Sequence, residues 1–212
     1  LEGAPRRARG APLFDADQEM KVLFDAGVWQ AVALGPTDAG ALQAFYQANP
    51  EYYLTVEGEP PAADAAHETF DSRPPAGWPY ERKWVLGFRA EEGDLVGMAD
   101  LLSNLFIDGV WHIGLFIVAT RLHGTGAARV LYDGLEAWMV ERGALWSRLG
   151  VVIGNARAER FWERLGYVDV RRREGLAMGQ RINAIRVMVK PLADESLAHY
   201  LAHVARDRPD SP

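Results

Sequence analysis

The sequence predicts an α/β domain with a mixed, mostly antiparallel central sheet flanked by helices, and three observations carry that expectation. Two short apolar runs, "KWVLGFRA" and "LVGMADLL", are separated by Glu92-Gly93-Asp94, a turn composition that predicts an antiparallel hairpin. A third run, "VWHIGLFIV", is apolar on both parities, as a central strand covered on both faces must be. Two segments with helical periodicity then alternate with strands, giving β-α-β-α-β-β to the end of the core.

Taken in order, residues 1–20 are rich in Ala, Arg, Gly and Pro and are expected to be a disordered lead, with residues 21–212 as a single domain. At 212 residues and 49 % hydrophobic, one sizeable core is affordable. After an apolar lead-in at Val22 to Phe24, "WQAVALG" reads as a strand. Pro36 with Thr37 then opens a helix through Leu42, Phe45 and Tyr46 that Pro50 closes. "EYYLTV" reads as a short extended piece and "PPAADAAHETF" as a proline-started helix. "DSRPPAGWPYER" is loop, long enough to act as a lid. Beyond the central strand, a helix has Ala127, Val130, Leu131, Leu135, Trp138 and Met139 as its buried stripe and stops at Gly143. "LWSRLGVVI" is a strand, and "NARAERFWERLGY" a helix with Ala158, Phe161, Trp162 and Leu165 on one face and Gly166 as C-cap. "YVDVRRR" and "INAIRVMVK" form a closing hairpin, and residues 191–212 hold one more helix with Leu197, Tyr200, Leu201 and Val204 on one side.

The formal net charge of −6 disfavours non-specific binding to nucleic acid or an anionic membrane face. Cysteine is absent, which removes disulfides and thiolate chemistry and fits a reducing compartment. No run approaches the roughly 20 apolar residues of a membrane span. The opening "LEGAPRRARGAP" lacks the apolar region of a signal peptide, so cytoplasmic localisation is expected.

Chemistry concentrates in "TRLHGTGAARVLYDGLEAW". A helix N-terminus leaves amide N–H groups without partners and carries partial positive charge, which suits a phosphate. Gly124 and Gly126 remove the Cβ atoms that would hold a ligand away, and Arg121 can add charge from the side. A P-loop is excluded because alanines and Arg129, not Lys-Ser/Thr, follow Gly126. A dinucleotide fingerprint is excluded because the turn falls past mid-chain, after antiparallel strands. A plain tight turn between strand and helix remains the alternative reading of the motif alone.

With these residues the sequence resembles the GNAT superfamily of acyl-CoA-dependent N-acetyltransferases. "RLHGTG" is similar to that family's R/Q-x-x-G-x-G/A loop and "NARAERFWERLGY" to its N-x-x-A-x-x-F-Y-x-x-x-G-F/Y segment, in the same order and each behind a strand, over roughly residues 83–190. The resemblance implies a sheet with splayed central strands and acetyl-CoA as cosubstrate, with no metal. It implies that the backbone of Gly114, Leu115 and Phe116 pairs with the thioester and pantetheine arm. Leu122, His123, Gly124, Thr125, Gly126 and Ala127 would hold the pyrophosphate. Asn155 would contact the cofactor chain, with Trp162 at the wall of its cleft. The implied reaction is acetyl transfer to a primary amine by direct attack in a ternary complex.

The pattern breaks at two places. Where the family often has a tyrosine to protonate the departing thiolate, this chain has Trp162, whose indole donates a hydrogen bond but is no usable acid. Where some members carry a glutamate ahead of the asparagine, this chain has Gly150. The general base must therefore lie elsewhere, and His112 and Asp100 are the candidates. His112 shares the parity of Gly114 and Phe116 and titrates near working pH, although a buried histidine bonded to its neighbours competes with that reading. Asp100 is an acid within an apolar strand, which calls for partners or a raised pKa. Glu51, Tyr52 and Tyr53 could line the acceptor pocket. His199 and His203 have the spacing of two metal ligands, but no third ligand is indicated, and they are expected to face solvent. Arg171 to Arg173 are expected to form a solvated strand edge. A small-molecule or peptide amine is the expected partner, a homodimer is possible through the last helix, and a non-catalytic acyl-CoA sensor is the alternative function.

Overall fold

The computed structural model describes residues 22–211, so the lead expected over residues 1–20 lies outside the described residues. Eight strands, β1 (Val22–Ala26), β2 (Trp29–Ala33), β3 (Arg82–Arg89), β4 (Leu95–Ser103), β5 (Val110–Val118), β6 (Trp146–Val152), β7 (Val168–Met178) and β8 (Arg181–Pro191), form one sheet in the order β1-β2-β3-β4-β5-β6-β8-β7. Every neighbouring pair is antiparallel except β5 with β6, which is parallel. The sheet is mixed and mostly antiparallel, as the sequence predicts.

Helices α1 (Ala39–Ala48), α2 (Glu51–Val56) and α3 (Ala65–Asp71) precede β3, α4 (Ala127–Glu141) follows β5, α5 (Ala156–Arg164) follows β6, and α6 (Leu197–His203) closes the chain. Leu131, Leu135 and Trp138 of α4 pack with Trp111 and Ile113 on one face of the sheet. Leu42 and Phe45 of α1 and Phe70 of α3 pack with Val85 and Ile117 on the other. On that second face, Tyr200 and Val204 from the C-terminal segment cover Val110, Val187 and Val189. No helix among the described residues is long and apolar enough to cross a membrane.

Three local expectations are corrected. "EYYLTV" is helical, not extended: Pro50 starts it with a fixed φ, and burial of Tyr53 and Val56, three residues apart, uses a helix face that overrides the strand preference of tyrosine and valine. In α4, Val130 is 39 % exposed, whereas Tyr132 is fully buried. Tyr132 tolerates burial because its hydroxyl is satisfied: it donates to the Glu136 carboxylate and lies within hydrogen-bond distance of Tyr167 Oη, at 3.0 Å. The closing strands are also longer than the apolar pattern suggests: β7 runs on past Arg173 to Met178, with Leu176, Ala177 and Met178 still paired to Asn183, Ile182 and Arg181 of β8.

Two irregularities of β5 prepare the site. The β4–β5 register runs Asp100↔Leu115 and then Leu101↔Ile113, so Gly114 is an extra, unmatched residue, a β-bulge. It reverses the parity beyond it. Phe116 and Val118 join Trp111 and Ile113 under α4, while Leu115 and Ile117 turn to the face where α1 and α3 pack. His112 therefore does not share a face with Phe116, and that part of the sequence argument fails. Second, the β5–β6 ladder ends at Ile113↔Leu149, although β5 continues to Val118 and β6 to Val152. The two central strands splay apart.

Candidate active site

The splayed strands open a cleft of about 370 Å3, walled by Gly114, Leu115 and Phe116 on one strand and Gly150, Val151 and Val152 on the other, with Asn155, Ala158 and Trp162 of the α5 region along one side. A smaller cavity of about 160 Å3 adjoins it, sharing Pro75, Trp78, His112 and Gly114 and adding Lys83 and Asp100. The structure thus gathers at one place both base candidates and Gly114, Leu115, Phe116, Asn155 and Trp162. The β7–β8 hairpin bridges to α2 across the opening: Gln180 N–H donates to Glu57 O at 2.8 Å, and Asn183 Nδ2 to Val56 O at 2.8 Å. The proline-rich loop lies over the same region, with Trp78 held under the Arg206 guanidinium at 3.9 Å.

Asp100 borders the bulge directly. A Cβ placed on Gly114 would lie 3.9 Å from Asp100 Oδ2. Desolvation pushes the Asp100 carboxyl up to about 6, against the opposing pull of Lys83, whose Nζ is 3.2 Å from Oδ2. His112 is different. Loss of water, with the Arg148 charge as the second cause, pushes its imidazole down to about 3. Its Nδ1 is 3.1 Å from Arg148 O, and an Nδ1–H donated there puts the free lone pair on Nε2. At neutral pH both groups are unprotonated, but the carboxylate is the stronger base by the larger pKa.

Trp162 is buried at 7 % exposure and packs edge-on against Phe116, Tyr132 and Tyr167, so it is wall and core at once. Gly150 leaves no acid on β6, and Ile185 Cδ1 lies 3.2 Å from where its Cβ would be. Asn155 caps α5 by accepting from Ala158 N–H at 3.3 Å, which leaves its side-chain amide N–H groups free, among the described residues, at the cleft edge.

The glycine turn lies at the end of β5, outside both cavities. Gly124 and Gly126 have φ of +80° and +90°, values that favour glycine, and nothing lies within 4 Å of where their Cβ atoms would be. Leu122 and His123 N–H are spent on Ala119 and Thr120 carbonyls at 2.8 and 3.0 Å, and Thr125 and Ala127 N–H make longer internal bonds at 3.4 and 3.3 Å. Among the described residues no acceptor meets the N–H of Gly124, Gly126 or Ala128. Arg121 is exposed with no polar partner among them. His123 Nε2–H donates to Val118 O at 3.0 Å, so its Nδ1 accepts from Arg157 Nη1 at 2.5 Å, which ties the turn to the start of α5. Open, donor-rich backbone beside an unladdered strand edge fits a ligand that combines a diphosphate with an amide-bearing chain.

Other expected residues fall elsewhere. Tyr52 lines the cleft with its phenol pushed up to about 12 by burial. Tyr53 is core. Glu51 accepts from Thr120 Oγ1, and that hydrogen bond holds its carboxyl below the usual range. His199 pairs with Glu195 at 2.6 Å and meets His203 edge-on. Among the described residues no three His, Cys, Asp or Glu side chains converge as metal ligands. The arginine run is not simply a solvated edge: Arg171 and Arg173 are half-buried and Arg173 lines the cleft, because β7 carries them under the C-terminal segment. Lys83 and Arg148 also reach the site; Arg148 is the single charged residue of β6, a pattern that asks for a buried partner.

Residues 42–167 match the model of the acetyltransferase (GNAT) family. Among solved structures, an acetyltransferase from Thermus thermophilus superposes with a TM-score of 0.61 at 19 % identity, covering 79 % of this chain and 99 % of that one. A spermidine N-acetyltransferase from Vibrio cholerae, in complex with CoA and spermine, superposes with a TM-score of 0.60 at 17 % identity, covering 77 % and 95 %. A sequence search of curated proteins returns no match.

Proposed function

This chain belongs to the GNAT acetyltransferase family, and from that membership we propose that it transfers the acetyl group of acetyl-CoA to a primary amine by direct attack in a ternary complex. The observation that carries the reading is the Gly114 bulge, which sets Asp100 against the mouth of the β5–β6 cleft. When bound, the thioester supplies an acyl group already activated for attack. Gly114, Leu115 and Phe116 present main-chain groups to the acyl carbonyl and the chain behind it, and donors there stabilise negative charge that builds on the carbonyl oxygen. The amides of Gly124, Gly126 and Ala128, with Arg121, hold the diphosphate.

Asp100 takes a proton from the acceptor's ammonium, the amine nitrogen forms the new N–C bond and gives up a second proton to water, the C–S bond breaks, and the thiolate leaves. A thiol of pKa about 8.5 can depart as the anion and take its proton from water, so Trp162 need not act as acid. His112 lies against the charged Arg148 with its own ring uncharged, packing beside the acceptor's path without taking the proton.

The test is calorimetry with CoA followed by an amine panel in an assay for released thiol. Micromolar CoA binding with turnover on at least one amine is the expected result. Tight CoA binding with no turnover on any amine would instead favour the acyl-CoA sensor, and no CoA binding would sink both readings. Gly126→Val is expected to weaken CoA binding by roughly 10- to 100-fold, the worth of one charge-assisted hydrogen bond, because a β-branched residue cannot hold φ near +90°. Unchanged affinity in that variant would remove the turn from the cofactor site.

A further inference from the structure

Arg173, on β7, has its Nε shielded from water with no acceptor among the described residues. Its guanidinium takes part in no hydrogen bond, ion pair or ring contact there, yet it lines the main cleft beside Arg148 and Trp78. A guanidinium stays charged at any working pH, and partial burial without a counter-charge is costly. Its neighbours deepen the imbalance. Arg148 is on β6, Arg171 on the same strand, and Arg206 in the C-terminal turn. Asp207, the carboxylate within reach, is already committed to Arg148 at 2.6 and 3.1 Å and to Tyr200 Oη at 2.6 Å. Arg206 stacks on Trp78, and its Nε is likewise shielded and without an acceptor. Burial, then the Arg171 and Arg148 charges, hold Arg173 below the usual arginine range, the direction expected of a cation short of anions. The other acid of the region, Asp100, lies at the far cavity and is paired with Lys83.

We propose that Arg173 is the anion subsite of the acceptor pocket, so that the amine acetylated here also carries a carboxylate or phosphoryl group, seated on the Arg173 guanidinium while its amine reaches the Gly114–Asp100 end. This rests on the acetyltransferase reading above. The net acidity of the whole chain points to cationic acceptors, but the lining that an acceptor meets is cationic, and the local field decides.

The test measures initial rates of the full chain at saturating acetyl-CoA on amino acids of increasing amine-to-carboxylate spacing, each paired with its carboxamide. Phosphorylated amino alcohols are paired with their parent alcohols, so the two arms separate carboxylate from phosphoryl recognition. For at least one pair the anionic member is expected to have the higher kcat/KM, on the order of 10- to 100-fold, and Arg173→Gln is expected to bring that ratio to near one. Equal rates on every pair, or a ratio that survives in Arg173→Gln, overturn the proposal. If no amine is acetylated, the acetyltransferase reading fails, and calorimetry decides the subsite by itself. N-acetylated acids are titrated against their amides with CoA present: a preference for the acids that Arg173→Gln removes supports the subsite, and no preference overturns it.

Discussion

Asp100→Asn is expected to lower kcat/KM on amine acceptors by about 10²- to 10⁴-fold, the usual worth of a positioned base, while CoA affinity holds. The pH profile separates this from a merely structural loss. With the Asp100 carboxyl raised to about 6, the proposed base is protonated below that pH and free above it, so the parent's kcat/KM rises with pH through an apparent pKa near 6. The limb is expected to vanish from the residual activity of Asp100→Asn. His112→Ala is expected to leave it in place, because an imidazole pushed down to about 3 is already neutral across that range. An acceptor with a weakly basic amine keeps the amine's own ionisation out of the window. Near-parent activity in Asp100→Asn, or loss of the limb in His112→Ala, would reverse the assignment of the base.

That assignment depends on a bulge that the sequence does not display. "VWHIGLFIV" is apolar on both parities, so inserting one unmatched residue at Gly114 leaves the pattern looking the same, and parity cannot be carried through it. What is legible follows from strong periodicity: β3 and β4 with their turn, the central strand, α4 behind its glycines, and α5 ahead of its closing glycine. α2 is not legible, because Tyr and Val favour strands locally and only tertiary burial of Tyr53 and Val56 makes the helix worthwhile.

For the site, motif residues are legible because glycine and asparagine answer backbone demands that are local. Counter-charges are not. Asp100 needs Lys83 from a neighbouring strand, and Arg148 needs Asp207 from the far end of the chain, 59 positions on, which no local spacing records. A lone arginine inside "LWSRLGVVI" signals that some partner must exist without saying where. The run Arg171 to Arg173 reads as a solvated edge for the same reason: only the docked C-terminal segment turns half of it inward.

The Arg148–Asp207 pair carries the largest stability effect. Both side chains are buried, at 4 % and 0 % exposure, with Nε and Nη2 of Arg148 donating to the two carboxylate oxygens and Tyr200 adding a third donor. Asp207→Ala leaves the arginine charge buried and unpaired, so it is expected to cost about 3–5 kcal/mol. At roughly 2–4 °C per kcal/mol for a chain of this size, Tm falls by roughly 6–20 °C. The loss has a pH signature. Burial alone would raise the Asp207 carboxyl, but the Arg148 and Tyr200 hydrogen bonds and the Arg148 charge outweigh it and hold it below the ordinary value. A depressed carboxylate contributes stability in full above its unfolded pKa and loses it as pH falls through the folded one. The difference between parent and Asp207→Ala is therefore expected to be constant from neutral pH down to about 4 and to shrink below that. Replacing both partners with apolar residues of similar volume, Arg148→Met with Asp207→Leu, is expected to recover most of the loss, since the pair's net worth is far smaller than the penalty of breaking it. A drop under about 1 kcal/mol in Asp207→Ala, the size expected of an exposed pair, would mean that the C-terminal turn does not hold Arg148 in the sheet.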